Sequence, residues 1–412
     1  MNNHVLYYKT KLIEKNKTQR DLANYLMYDE SYISKYFNES IEIPSNYMSR
    51  INEYFNIKEL KPFDDNIKIT IEHLIDDVIQ LNKNKEYDIK LQEDALTYPY
   101  QILALYLYKH LKNEFDHQFD ILENLLNKII NHFEIKHQQV FYVISGYSLM
   151  KEQKYQKAEK IINRGISLSK SNDEIKGVLL YYLVQIHSWL GKYSKVLTEI
   201  PIAQCIFENY NIHIRQVKIL VSLANTYSKM GCLDQSIEIN KDILKKVNDK
   251  DNLLGVNIIV LYNIAYQYGK KKEYQKALNY YLKAYEIQPD DDMCFEIAWC
   301  YYQLHDAKKA LIYLEYSNQV LSFGKIAHEK CRWLKEHIKH PYNRECLFSL
   351  KRILKKYNDE LGIDNKMFVY IQLIEYYQVK EDYKKALDYS IKLNQIGVIS
   401  SAEIKKRSEF LK

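Results

Sequence analysis

Two sets of side chains in this 412-residue sequence have recognition chemistry. The larger recurs in helical phase between residues 147 and 303: Tyr147, Lys151, Tyr181, Gln185, Trp189, Asn225, Lys229, Tyr262, Asn263, Tyr266, Lys270, Phe295, Trp299 and Gln303. Asn and Gln amides donate and accept together, matching the N–H and C=O groups of a peptide backbone. Tyr and Trp add rigid apolar contact with little loss of entropy. The lysines suit a peptide carboxylate or acidic side chain. A short peptide is the partner this set fits. Tyr at helical spacing also builds cores, so each aromatic keeps both roles open at this stage.

The smaller set is Lys17, Gln19, Arg20, Glu30, Ser31, Lys35 and Asn38. It lies around two short helical patterns. Thr18 is placed to cap the first, with Asp21 three residues on, and Leu22, Ala23 and Leu26 form its apolar stripe. Asp29 caps the next, Glu30 to Phe37, with Ile33 and Phe37 inward. A preceding helix, Val5 to Glu14, turns Leu6, Ile13 and Tyr8 inward. A later one starts at Pro44 and Ser45, with Met48, Ile51 and Phe55 inward.

Catalytic chemistry has no such support. No GxxxxGK[ST], GxSxG, HExxH or GxGxxG occurs. The six Cys form no CxxC pair, and His337 and His340 lack further metal ligands nearby. No enzyme activity, cofactor or metal is expected. The first residues lack the apolar run of a signal peptide, and no stretch reaches the roughly 18 apolar residues of a membrane span. A cytoplasmic protein without a membrane partner is expected.

Composition narrows the fold. Apolar residues make up 47%, while Gly (10) and Pro (6) are too scarce for a turn-rich β protein. The fold class is all-α. The net charge of +6 is uneven. Residues 1–57 hold seven Lys/Arg and seven Asp/Glu, whereas residues 325–356 hold ten Lys/Arg against three Glu. That basic segment reads as a solvated face or as a dock for an acidic partner.

Beyond residue 66 a unit repeats. Its clearest copy, LYNIAYQYGKKKEYQKALNYYLKAYEIQP, carries Ala265, Tyr268, Gly269, Tyr274, Ala277, Tyr281, Ala284 and Pro289. Small or compact residues at 158, 196, 236, 277 and 310 are spaced 38, 40, 41 and 33 apart. Ala386 follows 76 residues after Ala310, which leaves room for an irregular copy. This unit resembles the tetratricopeptide repeat, in which paired helices bury their apolar faces only by stacking and the first helices line a concave surface.

The stretch TQRDLANYLMYDESYISKYFNES resembles the helix-turn-helix of the Cro/repressor-like superfamily. That family usually has Gly in the turn where Met27 stands, so Met27 must take a left-handed conformation or the turn must differ. The resemblance puts Glu30, Ser31 and Lys35 at base edges of double-stranded DNA, Gln19 at a phosphate, and Lys17, Arg20 and Asn38 at the backbone. The neutral balance of residues 1–57 weighs against this, since non-specific affinity comes from released counterions.

The expected architecture is residues 1–60 as the helix-turn-helix domain, 61–66 as linker, 67–399 as a right-handed superhelix of tetratricopeptide-like hairpins, and 400–412 as a capping helix. That order resembles the RRNPP family of peptide-responsive quorum-sensing regulators. The resemblance implies a homodimeric, cytoplasmic transcription regulator controlled by a short signalling peptide, with Asn225 and Asn263 holding the peptide backbone. The alternatives are a Rap-like protein or a scaffold, either binding a protein partner with a helix-turn-helix that no longer reads DNA.

Overall fold

The computed structural model describes residues 2–247, 254–317, 325–357 and 363–408. Among these, regular structure is helical apart from a single bridge between Lys61 and Ala95. The chain divides into two compact units, residues 1–190 with 197–219, and residues 191–196 with 220–412.

The first unit opens with α1 (Asn3–Glu14), α2 (Gln19–Leu26), α3 (Glu30–Phe37) and α4 (Ser45–Tyr54). Thr18 and Asp21 form a reciprocal capping box at the start of α2. Leu22, Ala23, Leu26, Ile33, Phe37, Ile51 and Phe55 are buried together. Met27 takes the left-handed conformation, with φ 60° and ψ 40°. Arg50 of α4 supports this turn by donating to the carbonyls of Tyr25 (3.2 Å) and Leu26 (3.4 Å). The helix-turn-helix therefore keeps its shape without the usual glycine.

Helix α1 departs from the expected one-sided stripe. Leu6 and Tyr8 are buried and Ile13 is half-buried, but Val5, Tyr7, Lys11 and Leu12 are buried as well. The reason is a second partner. Beyond the linker come α5 (Asn66–Gln80), α6 (Tyr98–Lys112) and α7 (His117–Ile129), and α1 packs on α6 and α7 as well as on α3. The Tyr7 hydroxyl donates to the Glu93 carbonyl at 2.5 Å. The Lys11 ammonium lies 4.2 Å from the centre of the Tyr98 ring and pairs with Glu14 (3.0 Å) and Glu93 (3.4 Å). Asp64, just before the N-cap Asp65 of α5, accepts from the Asn66 amide.

Seven hairpins follow: α8 (Ile135–Lys151) with α9 (Tyr155–Ser167), α10 (Glu174–Trp189) with α11 (Tyr193–Asn209), α12 (His213–Lys229) with α13 (Leu233–Val247), α14 (Leu254–Lys270) with α15 (Tyr274–Ile287), α16 (Asp291–Gln303) with α17 (Ala307–Tyr316), α18 (Lys325–Lys339) with α19 (Arg344–Tyr357), and α20 (Ile363–Val379) with α21 (Tyr383–Ser408). The pair α18 and α19 is the irregular copy that the long gap before Ala386 calls for. Ala158, Val196, Ser236, Ala277 and Ala310 are fully buried at the helix crossings. Ser236 holds its place by donating to the Ala224 carbonyl. Turns close at Gly191 and Gly231, but elsewhere Gln153, Lys272, His305 and Glu381 take the left-handed position, which is why so few glycines suffice. Ser400 does not begin a separate capping helix: α21 runs unbroken from Tyr383 to Ser408, and residues 409–412 lie outside the described residues.

A left-handed non-glycine residue costs about 1 kcal/mol. Met27 is 88% exposed and its side chain makes no core contact worth keeping. Met27→Gly is expected to stabilise the chain by roughly 0.5–1 kcal/mol, after the entropy that glycine adds to the unfolded state. Urea denaturation followed by circular dichroism measures this; a fall in midpoint contradicts it.

Candidate functional site

On the helix-turn-helix, Lys17, Arg20, Glu30, Ser31, Lys35 and Asn38 are exposed and Gln19 is half-buried. Glu30, Ser31 and Lys35 belong to α3, and Asn38 is its C-cap. The Asp29 carboxylate accepts from the Ser31 amide at 2.8 Å, and hydrogen bonding to Ser31 holds its pKa below the usual carboxylate range. A fixed negative charge therefore stands at the start of α3 beside Glu30. It stabilises the helix end but repels a phosphate backbone.

In the first unit, Tyr147 and Gln185 are half-buried, and Lys151 and Trp189 are exposed. Trp189 stacks on Tyr155, the rings 5.7 Å apart and 11° from parallel. Lys151 lies 5.6 Å from the Tyr147 ring centre. Tyr181 corrects the sequence expectation. It is only 8% exposed, because the Arg215 guanidinium stacks 5.0 Å from its ring and Tyr182 packs edge-on to it. Arg215 itself went unnoticed in the sequence. It is fully buried and donates to the carbonyls of Val78 (2.7 Å) and Ile79 (2.9 Å), capping the C-terminal turn of α5. Its signal was a charge in apolar phase with Ile212 and Ile219. His187, equally unremarked, is buried with one ring nitrogen 2.8 Å from Glu199 and the other 3.0 Å from Glu159, which ties α9, α10 and α11 together.

In the second unit the two singled-out asparagines meet. Asn263 Nδ2 donates to Asn225 Oδ1 at 3.0 Å, joining α14 to α12. Both are half-buried, as are Tyr262, Tyr266, Trp299 and Gln303. Tyr262 packs edge-on against Tyr281. Phe295 corrects the expectation for it. At 2% exposed it is core, packed on Phe368 (5.6 Å) and beneath the Lys330 ammonium (4.0 Å), and offers no surface to a ligand.

Helix α20 supplies residues that sequence phase alone did not connect to α14 and α16. Asp364 pairs with Lys270 at 3.1 Å. It also accepts from Tyr266, whose hydroxyl is pushed up in pKa first by burial and then by this carboxylate. Phe368 lies 5.5 Å from Trp299 and 5.3 Å from the buried Trp333. Because α14 and α20 are three hairpins apart, their first-helix faces curve toward each other within this unit. Lys229 illustrates the enclosure: it is exposed overall, yet desolvation lowers its pKa to about 8, against a smaller opposing pull from Asp364. The arrangement sets amide groups at the Asn pair near the lysine ammonium groups on the same unit. Among the described residues no cluster of His, Cys, Asp and Glu is built to hold a metal.

The basic segment is partly neutralised from within. Lys330 is buried beside Glu296 (3.5 Å), and Arg352 pairs with Glu329 at 2.8 Å. His337 is buried, stacked on Trp333 with its Nε2 3.1 Å from the Tyr302 hydroxyl, so it belongs to the core.

A helix-turn-helix family model matches residues 9–61, and a tetratricopeptide-repeat model matches residues 258–291. No curated protein matches the sequence. Solved structures share the fold. The apo form of the quorum sensor NprR from B. thuringiensis superposes with TM-score 0.65 at 13% identity, over 81% of this chain and 99% of that one. A Rap protein complexed with competence and sporulation factor gives TM-score 0.65 at 12% identity, over 82% and 100%. Aspartyl phosphate phosphatase F from Bacillus subtilis gives 0.55 at 18%, over 86% and 95%. With its N-terminal helix-turn-helix and tetratricopeptide-like hairpins, the chain has an RRNPP-family architecture. Among the described residues no helix is long and apolar enough to cross a membrane.

Lys229 yields a signed prediction. Its folded pKa, about 8, is below the ordinary 10.5, so between those values the unfolded chain binds more protons. This group's contribution to stability therefore rises with pH across that window. Melting temperature followed from pH 7 to 10.5 should show a rising component that Lys229→Met removes; identical profiles for the two proteins contradict it.

Proposed function

We propose that this chain is a cytoplasmic transcription regulator, acting as a homodimer, whose helix-turn-helix binds double-stranded DNA under the control of a short signalling peptide held on the first-helix faces of the repeats. The observation that supports the reading is the presence of a helix-turn-helix and tetratricopeptide-like hairpins on one chain. Helix α3 presents Glu30, Ser31 and Lys35 outward behind a properly formed left-handed turn. The Asn225–Asn263 pair offers amide groups on the inner face. NprR, a quorum sensor, and a Rap protein solved in complex with competence and sporulation factor are proteins of the same fold, which supports a peptide as the ligand.

Control follows from stacking. A peptide that favours one packing of the repeats over another shifts the population toward it, and only differential affinity can do so. Helix α1 is shared by the DNA reader and α6 and α7, so a change in those helices reaches α2 and α3 through buried contacts.

A second reading has its own support. Burial of α1 into the repeats and the zero net charge of residues 1–57 also suit a helix-turn-helix that serves only as a packing module, on a Rap-like protein that binds a protein partner.

Selection from a randomised DNA duplex pool separates the two, followed by anisotropy titrations across a salt series. A reader enriches a two-fold-related site. With Lys17, Arg20 and Lys35 on phosphates or bases of each protomer, log affinity should fall against log salt with a slope of magnitude about 5. Arg20→Ala and Lys35→Ala should each reduce that slope. Absence of any enriched sequence overturns the DNA reading. For the peptide, Asn225→Ala and Asn263→Ala should each weaken capture from a displayed heptapeptide library by about tenfold, the equivalent of one or two lost hydrogen bonds.

A further inference from the structure

The basic stretch of residues 325–356 is used neither by the helix-turn-helix nor by the inner face of the repeats. Part of it is spent on packing, Lys330 on Glu296 and Arg352 on Glu329. The remainder is not spread evenly. His328, Arg332 and Lys335 follow one another on α18 at intervals of four and three residues, which puts them on one stripe of that helix. The stripe forms one wall of a cavity of about 250 Å³ where α17 meets α18. Leu314 and Ser317, at the end of α17, and Cys331 complete the lining, and all three are buried.

The chemistry of this cavity is one-sided. Its floor is apolar or already satisfied, since the Ser317 hydroxyl donates to the Leu314 carbonyl at 2.9 Å. Its rim carries the three basic side chains, His328 and Arg332 exposed and Lys335 half-buried. The acids of α18 are held elsewhere, Glu329 by Arg352 and Glu336 by Asn343. One acid approaches from α17: Glu315 lies 3.5 Å from the Lys335 ammonium. Those two side chains are 64% and 33% exposed, so the pair is weak and exchangeable. His328 also stands in the first turn of α18, where the helix dipole adds partial positive charge.

We propose that this cavity binds a phosphoryl group, with the Arg332 guanidinium and the Lys335 ammonium on its oxygens, His328 beside them, and Glu315 displaced from Lys335. A carboxylate has two oxygens and one charge, which a single guanidinium satisfies. A phosphoryl group has three oxygens and close to two charges at neutral pH, and it calls for several donors of the kind gathered here. Arginine supplies a planar fork of N–H donors and lysine a compact point charge, so the two complement each other on one anion. The group comes either from free phosphate or a small ester, or from a phosphorylated side chain of a polypeptide, and the same contacts serve both. The site depends on neither the peptide nor the DNA reading. It gives the basic stretch a defined ligand in place of a diffuse field.

Calorimetric titration of the full-length protein at pH 7 and low salt tests the site with two probes. One is inorganic phosphate. The other is an end-blocked heptapeptide with a single central phosphoserine, compared with its glutamate twin. Saturation by inorganic phosphate assigns a free phosphate or small ester, and saturation by the phosphopeptide alone assigns a phosphorylated polypeptide. In either case Arg332→Gln and Lys335→Gln should each weaken binding about tenfold with an unchanged circular dichroism spectrum. Arg332→Lys should recover only part of that loss, because the fork is gone. Glu315→Gln should tighten binding, a gain that damage to the fold cannot imitate. Lys355→Gln removes an exposed charge of the same stretch that lies off the cavity, and should bind like the parent. The proposal is overturned if neither probe saturates, or if the glutamate twin binds as tightly as the phosphopeptide. It is overturned equally if Lys355→Gln loses as much affinity as Arg332→Gln, since the whole basic face would then be acting as a field.

Discussion

Everything the helix-turn-helix can do depends on the two-sided burial of α1. A helix with one apolar stripe belongs to one core; this one belongs to two. Leu6 and Tyr8 face one set of neighbours while Tyr7 and Lys11 reach Glu93 and Tyr98 on the other. Burying an ammonium is costly unless it is paired. Lys11 is tolerated because two carboxylates and the face of an aromatic ring surround it. That geometry is specific in a way an apolar contact is not, since a slide of α1 along α6 would strand the charge. The link between residues 1–60 and the first repeats is accordingly a registered joint, and motion of the helix-turn-helix has to pass through it.

A similar logic runs through the repeats, at different strengths. Apolar stacking at Ala158, Val196, Ala277 and Ala310 fixes which helices touch. Polar pairs then fix register: His187 between Glu159 and Glu199, Asn225 with Asn263, Arg215 on the end of α5. Breaking one partner of a buried pair leaves a polar group without water or a mate, which costs far more than an exposed pair is worth. These contacts make the hairpin stack selective about its arrangement, a condition for two discrete states.

The sequence disclosed elements better than it disclosed partners. The capping residues Thr18 and Asp29 and the buried Ala23 were legible because each is decided by local geometry, while for Met27 the sequence left a left-handed residue and a different turn both open. The hairpins were legible because their period is set by a repeated core. What was not legible needed contacts across long separations. Phe295 and Tyr181 have the right phase for a ligand surface, but Phe368, 73 residues away, and Arg215, 34 residues away, cover them. Helical phase says which way a side chain points along its own helix. It cannot say that α20 returns to face α14. The second face of α1 was missed for the same reason, since the residues that bury it come from beyond the linker.

The engagement of α20 constrains how a ligand could act on the second unit. Two of its contacts differ in kind. The Asp364 and Lys270 side chains are 63% and 42% exposed, and such an ion pair is worth about 1 kcal/mol or less. Phe368, by contrast, lies against Phe295, Trp299 and Trp333 in the aromatic core of this unit, where displacement would cost several kcal/mol. An incoming acidic group would therefore exchange with Asp364 for the loss of an exposed ion pair and the Tyr266 hydrogen bond, while prising Phe368 loose would cost more. The economical response is a swap of carboxylates on Lys270 with the aromatic core left shut, so that Asp364 is released at the start of α20 and the helices on either side re-pair. Under the proposed peptide reading, a surface that already holds its own carboxylate would favour an acidic ligand, which replaces what it removes, over a neutral one.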